Sequence, residues 1–302
     1  MTRPDQTRAG FCALIGAPNA GKSTLLNRLC GAKLSIVSRK VQTTRTQVRG
    51  IVIKDKAQIV FVDTPGIFTP KRRLDRAMVT SAWGGAADAD IAGLIVDVRR
   101  ASDIDDEAML KPLAGLKTPK FLILNKIDTL EKEKFFAIAE ALNGKLAFDA
   151  TFMVSALSGA GTDAILDWIA PRLPAGPWLY PEDQLSDAPL RFMAAEITRE
   201  KLFERLHQEL PYQSTVETDQ WLQQKDGSVR IEQTIYVARE SQRKIVLGEG
   251  GRAIKAIGSA ARKEIAEMAE AKAHLFLFVK VREEWENDPE RYREMGLQFP
   301  KG

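Results

Sequence analysis

The run Gly16, Ala17, Pro18, Asn19, Ala20, Gly21, Lys22, Ser23 fits G-x-x-x-x-G-K-[ST], and Thr24 follows it. An apolar stretch, Phe11–Gly16, precedes it, and a helical pattern, Lys22–Leu29, follows. Glycines free the backbone to turn its N–H groups inward on phosphates, and the helix N-terminus adds positive potential. Lys22 is placed to reach a β- or γ-phosphate, and the Ser23 hydroxyl to ligate Mg²⁺. A strand, a phosphate loop and a helix in that order commit the chain to an α/β sheet.

The pattern downstream agrees. Strands are predicted over Phe11–Gly16, Val48–Lys54, Gln58–Val62, Ile91–Val98, Lys120–Leu124 and Thr151–Val154. Several are unbroken apolar runs, as buried parallel strands require. Helical patterns lie over Lys22–Leu29, Leu74–Ala87, Asp105–Leu116, Lys132–Leu142 and Asp163–Leu173. This alternation predicts a doubly wound sheet over residues 8–173.

Two further motifs fall at strand ends. Asp63, Thr64, Pro65 and Gly66 close the strand Gln58–Val62. There Asp63 can hold Mg²⁺ through water, and Gly66 offers an N–H to a γ-phosphate. Between the two phosphate motifs runs an aperiodic polar stretch, Ser38–Thr46. A switch loop at this point must bring a hydroxyl to Mg²⁺; Thr44 is the first candidate and Thr43 the second. The metal set is therefore Ser23, Thr44 and Asp63, and the catalytic set Lys22, Thr44, Gly66 and Asn19.

Asn125, Lys126 and Asp128 follow the strand Lys120–Leu124. A carboxylate accepts from guanine N1–H and the 2-amino group, a donor pair that adenine lacks. Asp128 left buried and unpaired against adenine is a costly mismatch. Lys126 is expected over the ring and Asn125 as a brace between loops. Ser155, Ala156 and Leu157 after the next strand complete the base site with a backbone N–H near O6. The implied ligands are GTP and GDP with Mg²⁺. A metabolic kinase has no reason for the Asn125 to Asp128 pattern.

At 302 residues the chain is long for one domain. Residues 174–189 carry four prolines and read as a linker. Beyond them the grammar changes to α-β-β-α-α-β. A helix Leu190–Leu210 leads to two alternating strands around Lys225–Gly227. Val229, Ile231, Gln233, Ile235 and Val237 are expected inward, and Arg230, Glu232, Thr234 and Tyr236 outward. A helix Ala253–Ala269 and a strand Ala273–Val281 complete it.

Within that order lies G-x-x-G: Gly248, Glu249, Gly250, Gly251. Such a loop lets a nucleic-acid backbone pass close, as in a KH domain. Ile254, Ile257, Ala261, Ile265 and Met268 form the buried stripe of the following helix. The net charge is +4, made of +7 over residues 1–180 and −3 over 181–302. Locally, residues 239–263 hold seven basic and two acidic residues. The expected RNA contacts are Arg243, Lys244, Gly248, Glu249, Gly250, Gly251, Arg252, Lys255 and Arg262. Glu249 departs from the basic residue such loops often carry, which shifts weight to Arg252 and Lys255.

Two cysteines, Cys12 and Cys30, read as reduced core thiols. The N-terminus lacks a signal-peptide core, and no apolar stretch reaches spanning length. The expectation is a soluble cytoplasmic chain.

Residues 8–173 resemble the translation-factor class of GTPases. Ile67 follows Gly66 where Ras-like proteins place a water-orienting Gln, so the chain is similar to GTPases with a hydrophobic replacement. In similar proteins the residue matching Asn19 helps hold a potassium ion that stands in for an arginine finger. The whole chain resembles the Era family: a P-loop GTPase doubly wound sheet followed by a smaller α+β type II KH domain. The divisions are 8–173 for the GTPase, 174–189 for the linker, 190–285 for the KH domain and 286–302 for a tail. The Gln42–Arg45 loop and the run Ile257–Lys263 carry the likeness too.

The resemblance implies GTP hydrolysis, binding near the 3′ end of 16S ribosomal RNA, and 30S subunit assembly and rRNA maturation. It also implies a monomer with peripheral contact to the inner membrane. A related RNA-associated GTPase acting on another RNA is the alternative, as is an RNA-binding protein with a regulatory nucleotide site. GTPases of tRNA modification or large-subunit assembly lack the C-terminal KH domain or carry two GTPase domains.

Overall fold

The computed structural model describes residues 7–38, 40, 43–104, 106–206, 210–283 and 288–300. Arg39, Val41 and Gln42 of the expected switch loop lie outside the described residues. So do Asp105, residues 207–209, Trp285 at the expected KH boundary, and residues 1–6, 286–287 and 301–302.

The first sheet is built from β1 (Arg8–Gly16), β2 (Val48–Lys54), β3 (Ala57–Asp63), β4 (Ile91–Asp97), β5 (Lys120–Asn125) and β6 (Ala150–Val154). Their spatial order is β2-β3-β1-β4-β5-β6. β3, β1, β4, β5 and β6 run parallel, while β2 is antiparallel to β3. Only Asp55 and Lys56 separate β2 from β3, and so short a turn permits no crossover. Every residue of β3 and β4 is buried, which explains their unbroken apolar sequence.

Around this sheet lie α1 (Lys22–Cys30), α2 (Arg73–Ala87), α3 (Lys111–Ala114), α4 (Lys132–Lys145) and α5 (Asp163–Ile169). The helix expected over residues 105–116 is instead a π-helical turn, Asp106–Leu110, followed by the short α3. Pro112 lies at the start of α3; lacking an N–H, proline fits a helix start better than its interior. Pro171 shortens α5 in the same way, turning residues 170–172 into a 3-10 turn.

The second sheet holds β7 (Ser214–Gln223), β8 (Val229–Val237) and β9 (Ala273–Val281), in that spatial order. β7 is antiparallel to β8, and β8 is parallel to β9. Helices α6 (Leu190–Arg205), α7 (Glu240–Leu247) and α8 (Arg252–Met268) supply the core against it, and α9 (Pro289–Glu294) follows. On β8 the expected inward residues are buried. Thr234, expected outward, is buried as well, because its hydroxyl donates to Asp219 Oδ2 at 2.6 Å.

Two compact units result. One comprises residues 1–35, 44–187 and 295–302; the other comprises 36–43 and 188–294. The proline-rich stretch 174–187, expected as a linker, is an ordered strap on the first unit. Gln58, wholly buried in β3, accepts from the Leu179 and Tyr180 N–H groups and donates to the Tyr180 carbonyl. Leu185 accepts from the Ile51 N–H, and Arg49 pairs with Asp187 at 2.7 Å. Prolines leave a segment short of backbone donors, so a buried amide side chain holds it. Among the described residues no helix is long and apolar enough to cross a membrane.

Candidate active site

The phosphate loop, Asp63, Asp97, Asn125 and Ser155 all lie at the carboxyl ends of parallel strands, where open α/β sheets bind ligands. The loop's shape depends on two glycines. Gly16 (φ +153°) passes so close to Ile95 that a Cβ would meet its carbonyl oxygen at 2.3 Å. Gly21 (φ +104°) lies against Asn125, whose amide nitrogen would be 2.1 Å from such a Cβ. Lys22 is buried, its Nζ donating to the Gly16 and Ala17 carbonyls at 3.0 Å. Burial pushes its ammonium down to about 8, against the opposing pull of Asp63.

Asp63 is wholly buried. Its Oδ2 accepts from Ser23 at 2.6 Å and from Ser35 at 2.8 Å. The Thr44 hydroxyl stands 2.9 Å from that of Ser23, whereas Thr43 donates to the Lys40 carbonyl. Burial raises the Asp63 carboxyl, opposed by Lys22 and the Ser23, Ser35 and Thr44 hydroxyls. Asp63 Oδ1 is buried without a hydrogen-bond partner. Beyond it, Thr64 donates to the Leu14 carbonyl at 2.8 Å, and Pro65 is buried. Gly66 abuts Pro18, where a Cβ would come within 2.9 Å of its backbone. Ile67 gives its N–H to the Gly16 carbonyl and buries its side chain in the sheet core.

At the base end, Asn125 is the brace. Its amide donates to the Ala20 carbonyl at 2.8 Å, and its Oδ1 accepts from the Lys126 and Ala156 N–H groups. One side chain thus ties three loops together. Lys126, at φ +68°, reaches the Asn19 carbonyl at 2.7 Å and Asp97 Oδ2 at 2.8 Å. Burial disfavours the Asp97 anion, but hydrogen bonds from Arg99 and Lys126 outweigh that and hold it at about 2.

Asp128 is exposed, two residues beyond Lys126, so a bound base is what would desolvate it. Of the Ser155–Leu157 run, the Ala156 N–H donates to Asn125 Oδ1 at 2.9 Å, and the Ser155 N–H to the Ala160 carbonyl. Leu157 is exposed at the rim.

Sequence reasoning missed Ser35, Asn27 and Asp97. Asn27 Oδ1 accepts from the Leu34 and Ser35 N–H groups and so sets the Ser35 hydroxyl on Asp63. Asp97 ends β4 directly opposite Asn125 of β5, a register that the two strand ends could have revealed.

In the second unit, Gly248, Gly250 and Gly251 all have φ between +58° and +76°. Arg252, expected to carry phosphate contact, is paired with Glu249 of the same loop. Arg243 donates to the Val279 carbonyl at 3.2 Å and pairs with Glu240. Lys244, Lys255 and Arg262 are exposed. Glu249 and Arg252 are three residues apart at the start of the helix, and their pair is exposed.

The family described as 50S ribosome-binding GTPase matches residues 11–126, and the KH domain matches 209–286. GTPase Era of Sinorhizobium medicae is 65% identical over 98% of this chain and 95% of its own length. That of Afipia carboxidovorans is 64% identical over 98% and 96%. The chain belongs to the Era GTPase family. A crystal structure of Era with MgGDPNP and nucleotides 1506–1542 of 16S ribosomal RNA superposes with a TM-score of 0.91. It is 35% identical and covers 96% of this chain and 99% of that one. An Aquifex aeolicus Era variant bound to GDP·AlF4⁻ gives 0.88 at the same identity and coverage. The activity is GTP hydrolysis to GDP and phosphate.

Magnesium, present in the Era complex with MgGDPNP, fits the oxygen donors present. The unpartnered buried Asp63 Oδ1 and the Ser23 and Thr44 hydroxyls are hard ligands on one spot. The ion supplies charge to the transferring phosphoryl group.

Proposed function

We propose that GTP binding and hydrolysis in the first unit serve recognition of single-stranded RNA at the 3′ end of 16S ribosomal RNA, during 30S subunit assembly and rRNA maturation. The observation that carries this is the full-length superposition on an Era bound to both MgGDPNP and that RNA. Gly16–Thr24, Asp63–Ile67, Asn125, Lys126, Asp128 and Ser155–Leu157 form the nucleotide site. Lys22 neutralises phosphate charge, Thr44 and Ser23 ligate Mg²⁺, and Gly66 donates its N–H to the γ-phosphate. Asn19, at φ +62° in the phosphate loop, holds potassium beside the phosphates in this reading, which rests on the resemblance. RNA passes over Gly248–Gly251, with Lys244, Lys255 and Arg262 on its phosphates. The monomeric state, cytoplasmic location and peripheral inner-membrane contact rest on the resemblance alone.

Fluorescence anisotropy with RNAs from the 3′ end of 16S ribosomal RNA, beside scrambled controls, tests the target. Equal affinity for both would mean that another RNA is the partner. For the metal, Thr44→Ala should raise the Mg²⁺ needed for half-maximal hydrolysis by about tenfold or more, the worth of ~1.4 kcal/mol. Thr43→Ala should not.

A further inference from the structure

The buried carboxylate of Asp63 is served unevenly. Oδ2 accepts from two hydroxyls, that of Ser23 at 2.6 Å and that of Ser35 at 2.8 Å, while Oδ1, equally buried, has no partner among the described residues. A buried acceptor left unpaired costs free energy, and native structures hold few of them. A site made only to bury a carboxylate would set one hydroxyl on each oxygen. Here both donors meet the same oxygen, and the other is left open for a ligand.

Ser23 belongs to the phosphate loop, and its hydroxyl also stands 2.9 Å from that of Thr44. Ser35 belongs to no helix or strand, and its buried hydroxyl has Asp63, 28 residues away, as its partner. Asn27 of α1 holds the backbone that presents it. Asn27 Oδ1 accepts from the Leu34 and Ser35 N–H groups at 2.9 Å, and its Nδ2 donates to the Ser35 carbonyl at 2.7 Å. Leu34 is buried as well. With the backbone held on both sides, one torsion remains to the Ser35 side chain, and the bond to Asp63 uses it.

We infer that Ser35 is a positioning residue for the metal, holding Asp63 Oδ2 so that Oδ1 stays turned toward the ion. The inference rests on the metal site of Ser23, Thr44 and Asp63 proposed above. The terminal torsion of an aspartate is soft, and a second donor on one oxygen narrows it. Hydrogen bonds to a carboxylate at a metal site orient it, and their loss typically lowers metal affinity about 10- to 100-fold. Ser35 acts through Asp63 and not on the nucleotide.

The experiment uses the whole chain loaded with labelled GDP and follows its release as free Mg²⁺ is varied from none, in EDTA, to saturation. Release needs no hydrolysis, so the readout is metal binding and not turnover. In the wild type, Mg²⁺ should slow release with a defined midpoint. Ser35→Ala should raise that midpoint about tenfold or more and leave the rate in EDTA unchanged. Ser35→Thr keeps the hydroxyl and should keep the wild-type midpoint.

An unmoved midpoint in Ser35→Ala overturns the inference. So does a rate in EDTA raised as much as the rate in Mg²⁺, because Ser35 would then hold the nucleotide or the fold and not the metal. A threonine variant that is folded by urea unfolding, yet as weak for Mg²⁺ as the alanine variant, overturns it too, since the hydroxyl would not be what matters. If the extra methyl of Ser35→Thr prevents folding, the alanine midpoint set against its rate in EDTA decides. Wild-type release that ignores Mg²⁺ would sink the parent metal site and this inference with it, a result distinct from failure of Ser35 alone.

Discussion

Single side chains set the chemistry of the nucleotide site, and Lys22 is the one whose charge is least secure. Its ordinary value of 10.5 falls to about 8 on burial. Phosphate binding favours the ammonium, so GDP affinity should be full below pH 8 and fall as pH rises through 8, where binding must first recover a proton. Titrating labelled GDP between pH 7 and 9.5 checks this; a flat profile would exclude Lys22 as the titrating contact. For stability the sign is opposite. Between about 8 and 10.5 the unfolded chain holds the extra proton, so Lys22 makes the ligand-free fold more stable as pH rises across that window. Asp128→Asn should move preference from GTP toward XTP, because an amide pairs with the 2-oxo group of xanthine. Competition among GTP, XTP and ATP reads this, and retained GTP preference would show that Asp128 does not read the base. Ile67, buried in the core, cannot orient water. Hydrolysis should therefore be slow, and faster in potassium than in sodium at matched ionic strength if Asn19 holds the ion. Equal rates would remove potassium and leave the GTPase intact.

At the scale of elements, sequence was most informative where one physical rule dominated. Buried parallel strands need continuous apolar runs, so β1, β3, β4 and β5 lie where the runs lie, to within three residues at either end. The phosphate loop was legible because few sequences can make its turns. What stayed hidden depended on partners remote in sequence. Nothing local marks residues 174–187 as a strap, because its anchor, Gln58, sits in another strand. Ser35 looked like any loop serine until Asn27 set its hydroxyl on Asp63. Gln58→Leu should cost about 2–4 kcal/mol, because three backbone groups lose a buried partner, as urea unfolding would show. In the G-x-x-G loop, Gly248 is a poor place for a test, since a Cβ would meet Ala253 N at 2.9 Å. Gly250 has open space and φ +58°, a conformation Asp tolerates. Gly250→Asp should therefore weaken RNA binding by charge while sparing the fold and GTP binding; unchanged RNA affinity would move the phosphate path off this loop.

Across the whole molecule, connectivity matters as much as packing. The chain passes between its two units at four peptide links: Ser35–Ile36, Thr43–Thr44, Asp187–Ala188 and Glu294–Met295. Val37 and Thr43 are bonded to α6 of the second unit. There the buried Arg199 donates to the Thr43 carbonyl at 2.6 Å, and Glu200 accepts from the Val37 N–H at 2.8 Å. The next residue, Thr44, stands beside Ser23. A protein with one crossing can be dissected with a single cut, and each half then reports on itself. This one cannot. A fragment ending at Asp187 keeps every motif for GTP yet leaves Val37 and Thr43 without the helix they bond to. Its nucleotide release rate would describe a different loop from the one the intact chain uses. Recombining such halves, in the laboratory or by gene fusion, would require α6 and the loop it holds to travel together.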